Sequence, residues 1–459
     1  MVENGGMIVA VLKGSPKGAL SVSYQYARYV MRAFPEHEYR VFHLAAGEGY
    51  ERGWKDVVAG VGECALLLWV SPVYCFLVPA QVKEFIEWVE AQGQNGKFAG
   101  KVAASLFSSI HFFDHTALRY LQAVSEDLGM RFAGAMSFEM YDLLQLTMQE
   151  RLRAFASGLF QAVEARLAWP RAFARLSECR WAYEPAVAGE RISFAGLSVV
   201  VVTDGSAPQG NLPAMLARLT GCIAGDVPVL DLQDLTDFPG CCGTVQCGLK
   251  HECVHGPQDG FVQLYRERLM KADVLFFAGC VRDRFLSHRW KRFLDRSLFH
   301  GHEPSLAGKQ IGWLVAGPLG QVANLRDVLE AASEGQMAHL LGIVSDEEVD
   351  SPGLDATIAG LVGQARQWAG SAFVKPPTFL GIGGMMVLKH IVVRNRFLFQ
   401  ADARFFRSPR VPALAPHTLL TRFKNVVLVA LLWIPAFRRF FLARFQEILL
   451  LPFRNLPLE

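Results

Sequence analysis

The sequence predicts an α/β chain of two tandem, doubly wound parallel-sheet units followed by a basic, apolar helical extension. Three observations carry this. Short apolar runs alternate with amphipathic helical stretches, the alternation restarts near residue 195, and the composition changes after residue 374.

The first strand is Met7-Ile-Val-Ala-Val-Leu12, ending in the loop Gly14-Ser-Pro-Lys-Gly18, and a helix is predicted from about Leu20 to Phe34. Further strands are expected at Tyr39–Leu44, Cys64–Val70 and Lys101–Phe107. Between them, Pro79–Glu90 places Val82, Phe85, Ile86 and Val89 on one helical face. Strands that alternate with helices call for a parallel sheet covered on both faces.

In the second unit, Leu197–Thr203 reads as a strand leading into Asp204-Gly-Ser-Ala-Pro-Gln-Gly210, with a helix from Asn211. Val82-Lys-Glu-Phe-Ile-Glu87 and Trp290-Lys-Arg-Phe-Leu-Asp295 lie 208 positions apart, and Gly100-Lys101 and Gly308-Lys309 share that offset. The Gly-Ser turns at Gly14 and Gly205 are only 191 apart, so the second unit carries 17 extra residues between turn and helix. The joint is expected over 166–193, around Trp169-Pro170 and Glu184–Gly189. This gives domains at 1–165 and 194–374, a cysteine-rich loop at 238–258, and an extension over 375–459.

Composition bounds the class. With 459 residues, 51% hydrophobic and 19% charged, the chain is long enough for two or three domains and too apolar for disorder. No run of about 20 apolar residues suggests a spanning helix. Met1-Val-Glu-Asn-Gly-Gly-Met7 lacks a basic segment before an apolar stretch, and the nine cysteines are an odd number. A cytoplasmic protein with free thiols or a metal centre is therefore expected, rather than one with disulfides. The net charge of +3 hides an asymmetry: residues 375–459 hold 13 Lys/Arg against 3 Asp/Glu, which leaves the body at −7. Nothing in that body points to nucleic acid.

A strand that ends in Gly14-Ser-Pro-Lys17 and enters a helix by way of Ser21 and Ser23 builds an anion site from a tight turn, helix N–H groups and hydroxyls. It lacks the endings that serve a triphosphate or a dinucleotide, so a single terminal phosphate suits it. The alternative is an ordinary turn with serine as cap. Trp69-Val-Ser-Pro-Val-Tyr74 leaves the next strand with an aromatic on a rigid turn, and Ser108-Ser-Ile-His-Phe-Phe113 leaves the one after. Three such loops on one sheet edge can enclose phosphate, ring edge and ring face.

Lys13-Gly-Ser-Pro-Lys17 with Ser21 and Ser23, and Ser71-Pro-Val-Tyr74 before Pro-Ala-Gln-Val-Lys-Glu-Phe-Ile, resemble the flavodoxin-like NAD(P)H-dependent FMN reductase family. The resemblance covers both repeats, from residue 7 to about 370. It implies two tandem flavodoxin-like domains and FMN as cofactor. It also implies Ser15, Lys17, Ser21 and Ser23 at the phosphate, Pro72, Val73 and Tyr74 at the ring, and Ser108, Ser109 and His111 as further contacts. In the second unit, Gly205, Ser206 and Asn211 would serve a phosphate and Gly317 would lie in the later loop, although a Pro-Tyr pair is missing. One flavin site and one modified copy is the expectation.

Cys241, Cys242, Cys247 and Cys253 fall within 13 residues. Their order resembles iron–sulfur flavoproteins of the same superfamily, with Thr244 where that pattern has its second cysteine. Three readings stay open: thiols kept for packing or redox exchange, an iron–sulfur cluster on these four cysteines, and zinc with a histidine. The other five cysteines are isolated and read as packing residues. The stretch Arg282–Arg296 has six Lys/Arg against two acids, and either grips an anionic substrate, forms a solvated face or joins the repeats. Gly381-Ile-Gly-Gly384 lacks the strand a nucleotide loop needs.

In the extension, Asn425–Phe437 is apolar, too short to span a bilayer, broken by Pro435 and flanked by Arg422, Lys424, Arg438, Arg439 and Arg444. It reads as an arm packed on the body or a partner subunit, or as a peripheral membrane contact. The functional expectation is an oxidoreductase in which FMN takes hydride from NADH or NADPH and electrons pass to a quinone, a free flavin or a small electrophile. The alternatives are an electron carrier without its own nicotinamide site, with a redox protein as partner, and a flavin-free scaffold. A homo-oligomer is compatible with either.

Overall fold

The computed structural model describes residues 6–45, 49–177, 181–187, 189–205, 210–235, 238–347, 350–408, 411 and 419–444. The chain divides into a body, Met1–Ser408, and a smaller unit, Pro409–Glu459.

The first half of the body follows from its apolar runs. Strands β1 (Ile8–Lys13), β2 (Glu38–His43), β3 (Leu66–Pro72), β4 (Val102–Ser108) and β5 (Arg131–Phe138) form one sheet in the order β2-β1-β3-β4-β5, every adjacent pair parallel. Along β1, Val9 and Val11 point into one apolar layer with α1 (Val22–Ala33) and α5 (Leu146–Glu164). Ala10 and Leu12 point into another with α2 (Trp54–Gly62), α3 (Ala80–Ala91) and α4 (Asp114–Asp127). Alternation with both faces buried is what a doubly covered parallel sheet demands. Edge strand β5, Arg-Phe-Ala-Gly-Ala-Met-Ser-Phe, has no β-branched residue and escapes the sequence reading.

The second half repeats this plan. Strands β6 (Val199–Thr203), β7 (Val229–Asp231), β8 (Val274–Cys280), β9 (Gln310–Ala316) and β10 (His339–Ser345) pair in parallel as β10-β9-β8-β6-β7. Read from the other edge this is the same flavodoxin-like order, 2-1-3-4-5. Its helices are α6 (Leu212–Gly221), the short α7 (Cys247–Lys250) and α8 (Gly260–Leu264), then α9 (His288–Ser297), α10 (Ala323–Gly335) and α11 (Ser351–Ser371). Helices α6 and α11 cover one face of the sheet, and α9 and α10 turn the other face toward the first half.

The two sheets share that inner layer, in which Val82, Phe85, Ile86 and Val89 of α3 join one core with Trp290 and Phe293 of α9. The duplicated helices therefore pack on each other. At their heart Lys83, fully buried, lies 3.0 Å from Glu87 and 2.7 Å from Asp283, whose other oxygen accepts from the Tyr120 hydroxyl at 2.7 Å. Lys291, the counterpart of Lys83 at the 208-residue offset, pairs with Asp295 and donates to the Tyr74 carbonyl at 2.9 Å. Asp295 also accepts from the Ala80 amide at 2.9 Å. Around these, Arg292 bonds Glu84 at 2.8 Å, His288 bonds Glu87 at 2.6 Å and Arg284 forks onto Asp127 at 2.5 and 2.8 Å. Within the basic stretch 282–296, Arg284, Lys291 and Arg292 thus join the repeats, while Arg296 pairs with Asp259 inside the second half.

The sequence expected one extension from residue 375. In the structure, α12 (Phe379–Arg394) and α13 (Asp402–Phe405) stay with the body. The Glu334 carboxylate of α10 caps α12 by accepting from Thr378 and Gly381. Gly384 lies in the helix, where a Cβ would come within 2.8 Å of the Phe113 ring. These glycines serve close packing and form no nucleotide loop. The smaller unit holds α14 (Leu419–Leu432) and α15 (Pro435–Ala443), with Phe423, Val426, Trp433, Phe440 and Leu442 exposed. Among the described residues no single helix is long and apolar enough to cross a membrane, and Val426–Leu432 and Pro435–Ala443 are bent by 105°.

Two outcomes follow from the buried charges. Lys83→Met strands Asp283 without its cation and should cost about 3–5 kcal/mol in denaturant unfolding. Burial pushes the Glu90 carboxyl up to about 8, with Asp283 adding to the rise. The folded state therefore holds a proton that the unfolded chain gives up near its ordinary pKa, and stability should fall between about pH 4.5 and pH 8. Glu90→Gln should flatten that slope and stabilise the protein at pH 8.5 by on the order of 1–2 kcal/mol, allowing for partial solvation. Thermal melts across pH measure both the slope and the gain.

Candidate functional site

A cavity of about 380 Å³ opens at the carboxyl ends of β1, β3 and β4 and runs on into the second half. Ser15, Lys17, Ser21 and Val22 line its entrance, with Pro72, Val73, Tyr74, Ser108 and Ser109 beyond them. The three predicted loops thus meet at one site, as the carboxyl edge of a doubly wound sheet favours.

The first loop turns through Gly18 N–H to Ser15 O at 3.2 Å and Leu20 N–H to Lys17 O at 3.1 Å, in a short 3-10 turn, before α1 begins at Val22. Ser21 stands at the N-cap position, but its hydroxyl does not cap the helix; it bonds the Ser23 hydroxyl at 2.7 Å. The first-turn amides of α1 are therefore left for an anion, beside the hydroxyls of Ser15 and Ser21. Ser23 is wholly buried and orients Ser21, outside the cavity wall.

The second loop is fixed from both sides. Val73 N–H donates to Ser108 O at 3.0 Å, and Tyr74 and Leu77 exchange backbone bonds at 2.8 and 3.0 Å. From the second half, Lys291 holds the Tyr74 carbonyl, and the Cys75 thiol donates to Leu294 O at 3.1 Å. In the third loop Ser109 bonds Ser137 at 2.8 Å. His111 falls outside the wall: its side chain is 49% exposed and pairs with Asp114 at 2.8 Å. Ile110 and Phe112 line the cavity instead.

The cysteine loop of the second half reaches this same site. Gly243, at φ +64, leaves its missing Cβ position to the Tyr74 hydroxyl, and the Gln81 amide donates to Cys241 O at 3.3 Å. Arg296 anchors the loop by donating to Pro239 O at 2.8 Å and to Asp259 at 2.7 Å. The sequence lists the cysteines far from Tyr74, so only the pairing of α3 with α9 brings them together.

The four cysteines line a second cavity of about 30 Å³. Of the three readings kept open for Cys241, Cys242, Cys247 and Cys253, a metal centre finds no support in this arrangement: among the described residues no three Cys, His, Asp or Glu groups are placed to hold a metal ion. Their sulfurs are engaged separately. Cys241 accepts from Gly243 N–H at 3.4 Å, Cys242 lies 3.8 Å from His255 Nε2, and Cys253 accepts from Arg296 at 3.5 Å. Burial pushes the Cys241 thiol up to about 12 and the Cys247 thiol up to about 11 in the metal-free chain. As placed, the four cysteines do not form the four-ligand set that an iron–sulfur cluster or structural zinc takes. Burial likewise holds the Tyr74 phenol well above its ordinary value.

Among the described residues, the corresponding corner of the second half is occupied by its own side chains. Asn211 accepts from Tyr183 N–H at 2.8 Å and donates to Asp346 at 2.8 Å and to Trp181 O at 3.1 Å. Gly317 N–H donates to Asp346 at 2.7 Å, and Gly205 lies against Gln233 and Asp231. Asp204 is buried and bonded to Ser287. Asp204, Asp231 and Asp346, at the ends of β6, β7 and β10, place three carboxyl groups at this corner. Ser206 lies outside the described residues.

No curated protein sequence matches the chain. Among solved structures, the Trp repressor binding protein of Bacillus subtilis is 17% identical with a TM-score of 0.26, over 33% of this chain and 96% of that one. The flavoenzyme NAD(P)H:(acceptor) oxidoreductase of Paracoccus denitrificans is 18% identical with a TM-score of 0.30, over 35% and 98%. General stress protein 14 of Treponema denticola, in complex with FMN, is 14% identical with a TM-score of 0.27, over 35% and 98%. Residues 7–140, which carry all three loops of the first sheet's site, match the family model of NADPH-dependent FMN reductase.

Proposed function

We propose that the chain is an NAD(P)H-dependent flavin oxidoreductase with one FMN site, built on the first half and closed by the second. The observation that carries this is the uncapped start of α1 beside the Ser15 and Ser21 hydroxyls, in a cavity whose far wall is Pro72, Val73 and Tyr74. The residues fit FMN: amides, two hydroxyls and Lys17 for the phosphate, and an aromatic-lined slot for the ring. When bound, FMN supplies the hydride acceptor and donor.

The chain's own groups bind, orient and exclude. Ser15, Ser21 and the α1 amides would fix the phosphate, and Ser23 keeps Ser21 turned toward it. Pro72 and the Tyr74–Leu77 turn hold the ring wall rigid, and Ile110 and Phe112 keep water from it. Burial keeps Tyr74 and Cys241 protonated, so neither adds an anion at the ring wall. The overall reaction is NAD(P)H + H⁺ + acceptor → NAD(P)⁺ + reduced acceptor, two electrons moving from donor to acceptor.

Ser21→Glu should place a carboxylate where the phosphate belongs. Fluorescence titration should show FMN affinity falling at least about 100-fold, since each lost charge-assisted bond is worth about 1.5–3 kcal/mol and repulsion adds to it. Riboflavin, which lacks the phosphate, should bind the variant as it binds the parent. Unchanged FMN affinity would sink the assignment, as would a reconstituted protein whose flavin absorbance NADPH fails to bleach.

A further inference from the structure

Beyond Tyr74 and Phe76 the cavity continues into the inner layer of the second half, where Phe277, Phe293, Leu306, Ile311, Trp313 and Leu329 form its walls. All six are buried, and the floor on α10 is set by Ala331 and Ala332. A small residue at that position leaves room where the surrounding side chains are large. The flavin site as described does not use this space.

Most of the few polar groups in the chamber are engaged by the protein, His302 among them through Nδ1 to Asp402 at 3.0 Å. Ser297 Oγ donates to Phe293 O at 2.8 Å, and Ser333 Oγ to Leu329 O at 2.9 Å. Tyr265 OH bonds Ser305 at 3.0 Å, and Gln336 Oε1 accepts the amides of Ser305 and Leu306 at 2.8 and 3.1 Å. A polar ligand would find little to bond there and would lose its hydration, whereas a hydrocarbon loses nothing.

We propose that this chamber houses the hydrocarbon chain of the electron acceptor, an acyl- or prenyl-type tail, while the acceptor's redox head lies at the chamber's mouth, beside the flavin ring. The chamber is continuous with the ring wall, so one amphiphilic molecule reaches both. This inference rests on the flavin reading for the head, and on the chamber's chemistry alone for the tail.

The test uses the full-length protein with benzoquinones that carry a methyl, butyl, hexyl or decyl chain. KM should fall about threefold to fourfold for each added methylene until the chamber is full, and at least about 100-fold from methyl to decyl. Ala331→Leu, which fills the floor, should erase most of that gain. Leu306→Phe does the same from the opposite side should the first variant fold poorly. Independently of turnover, cis-parinaric acid should fluoresce on binding the parent protein, be displaced by the decyl quinone, and bind neither variant. A KM that changes less than threefold across the series, or parinaric acid binding that persists in both variants, overturns the chamber. Reduction without chain dependence leaves the flavin reading intact and removes the chamber. Probe binding blocked by the variants, with no reduction of any quinone, does the reverse.

Discussion

Lys83 is fully buried between the two halves of the body, and the arrangement of both sheets depends on how its charge is met. The ammonium is shared between Glu87 on its own helix and Asp283 from the other half. Such a pair adds little net stability over apolar packing, but it penalises every alternative docking that would separate its members. The apolar faces of α3 and α9 supply the attraction, and Lys83, Asp283, Lys291 and Asp295 supply the register. Because Lys291 also grips the Tyr74 carbonyl, that register reaches directly into the site.

This explains what the second half contributes while Asp204 and Asp346 occupy its own phosphate corner. It holds the Tyr74 loop by two contacts, places Gly243 under the Tyr74 hydroxyl, and extends the cavity beyond the ring wall. Helix α12 adds a cover, and Leu388 reaches the same cavity. The site is therefore composed of segments spread from residue 15 to residue 388, around loops that the first sheet alone would leave open.

Much of this was legible in the sequence, for identifiable reasons. The strands β1, β3, β4 and β6 were readable because a strand buried on both faces must be an unbroken apolar run. Helix α3 was readable from Val82, Phe85, Ile86 and Val89. The loops at Ser15, Pro72 and Ser108 were readable because turns at a sheet edge carry local chemistry. What could not be read is long-range. The 208-residue offset between α3 and α9 signals duplication, but not that the copies pack face to face. Nothing local says that Arg284, Lys291, Arg292 and Arg296 are spent internally, that the cysteine loop reaches Tyr74, or that His111 turns outward to Asp114. The chamber is less visible still, since Phe277, Trp313 and Leu329 read as ordinary core, and an empty space leaves no mark on a sequence.

The halves are joined by the chain itself, and this has a bearing on what each is free to become. In an assembly of identical subunits, any change that helps one copy is imposed on every copy. Here Asp204 and Asp346 could occupy one corner while Ser15 and Ser21 kept the other, so the roles could diverge position by position. Dilution cannot part the two either, because each carries its neighbour at a fixed, high local concentration. The ring wall therefore stays complete however scarce the molecule becomes.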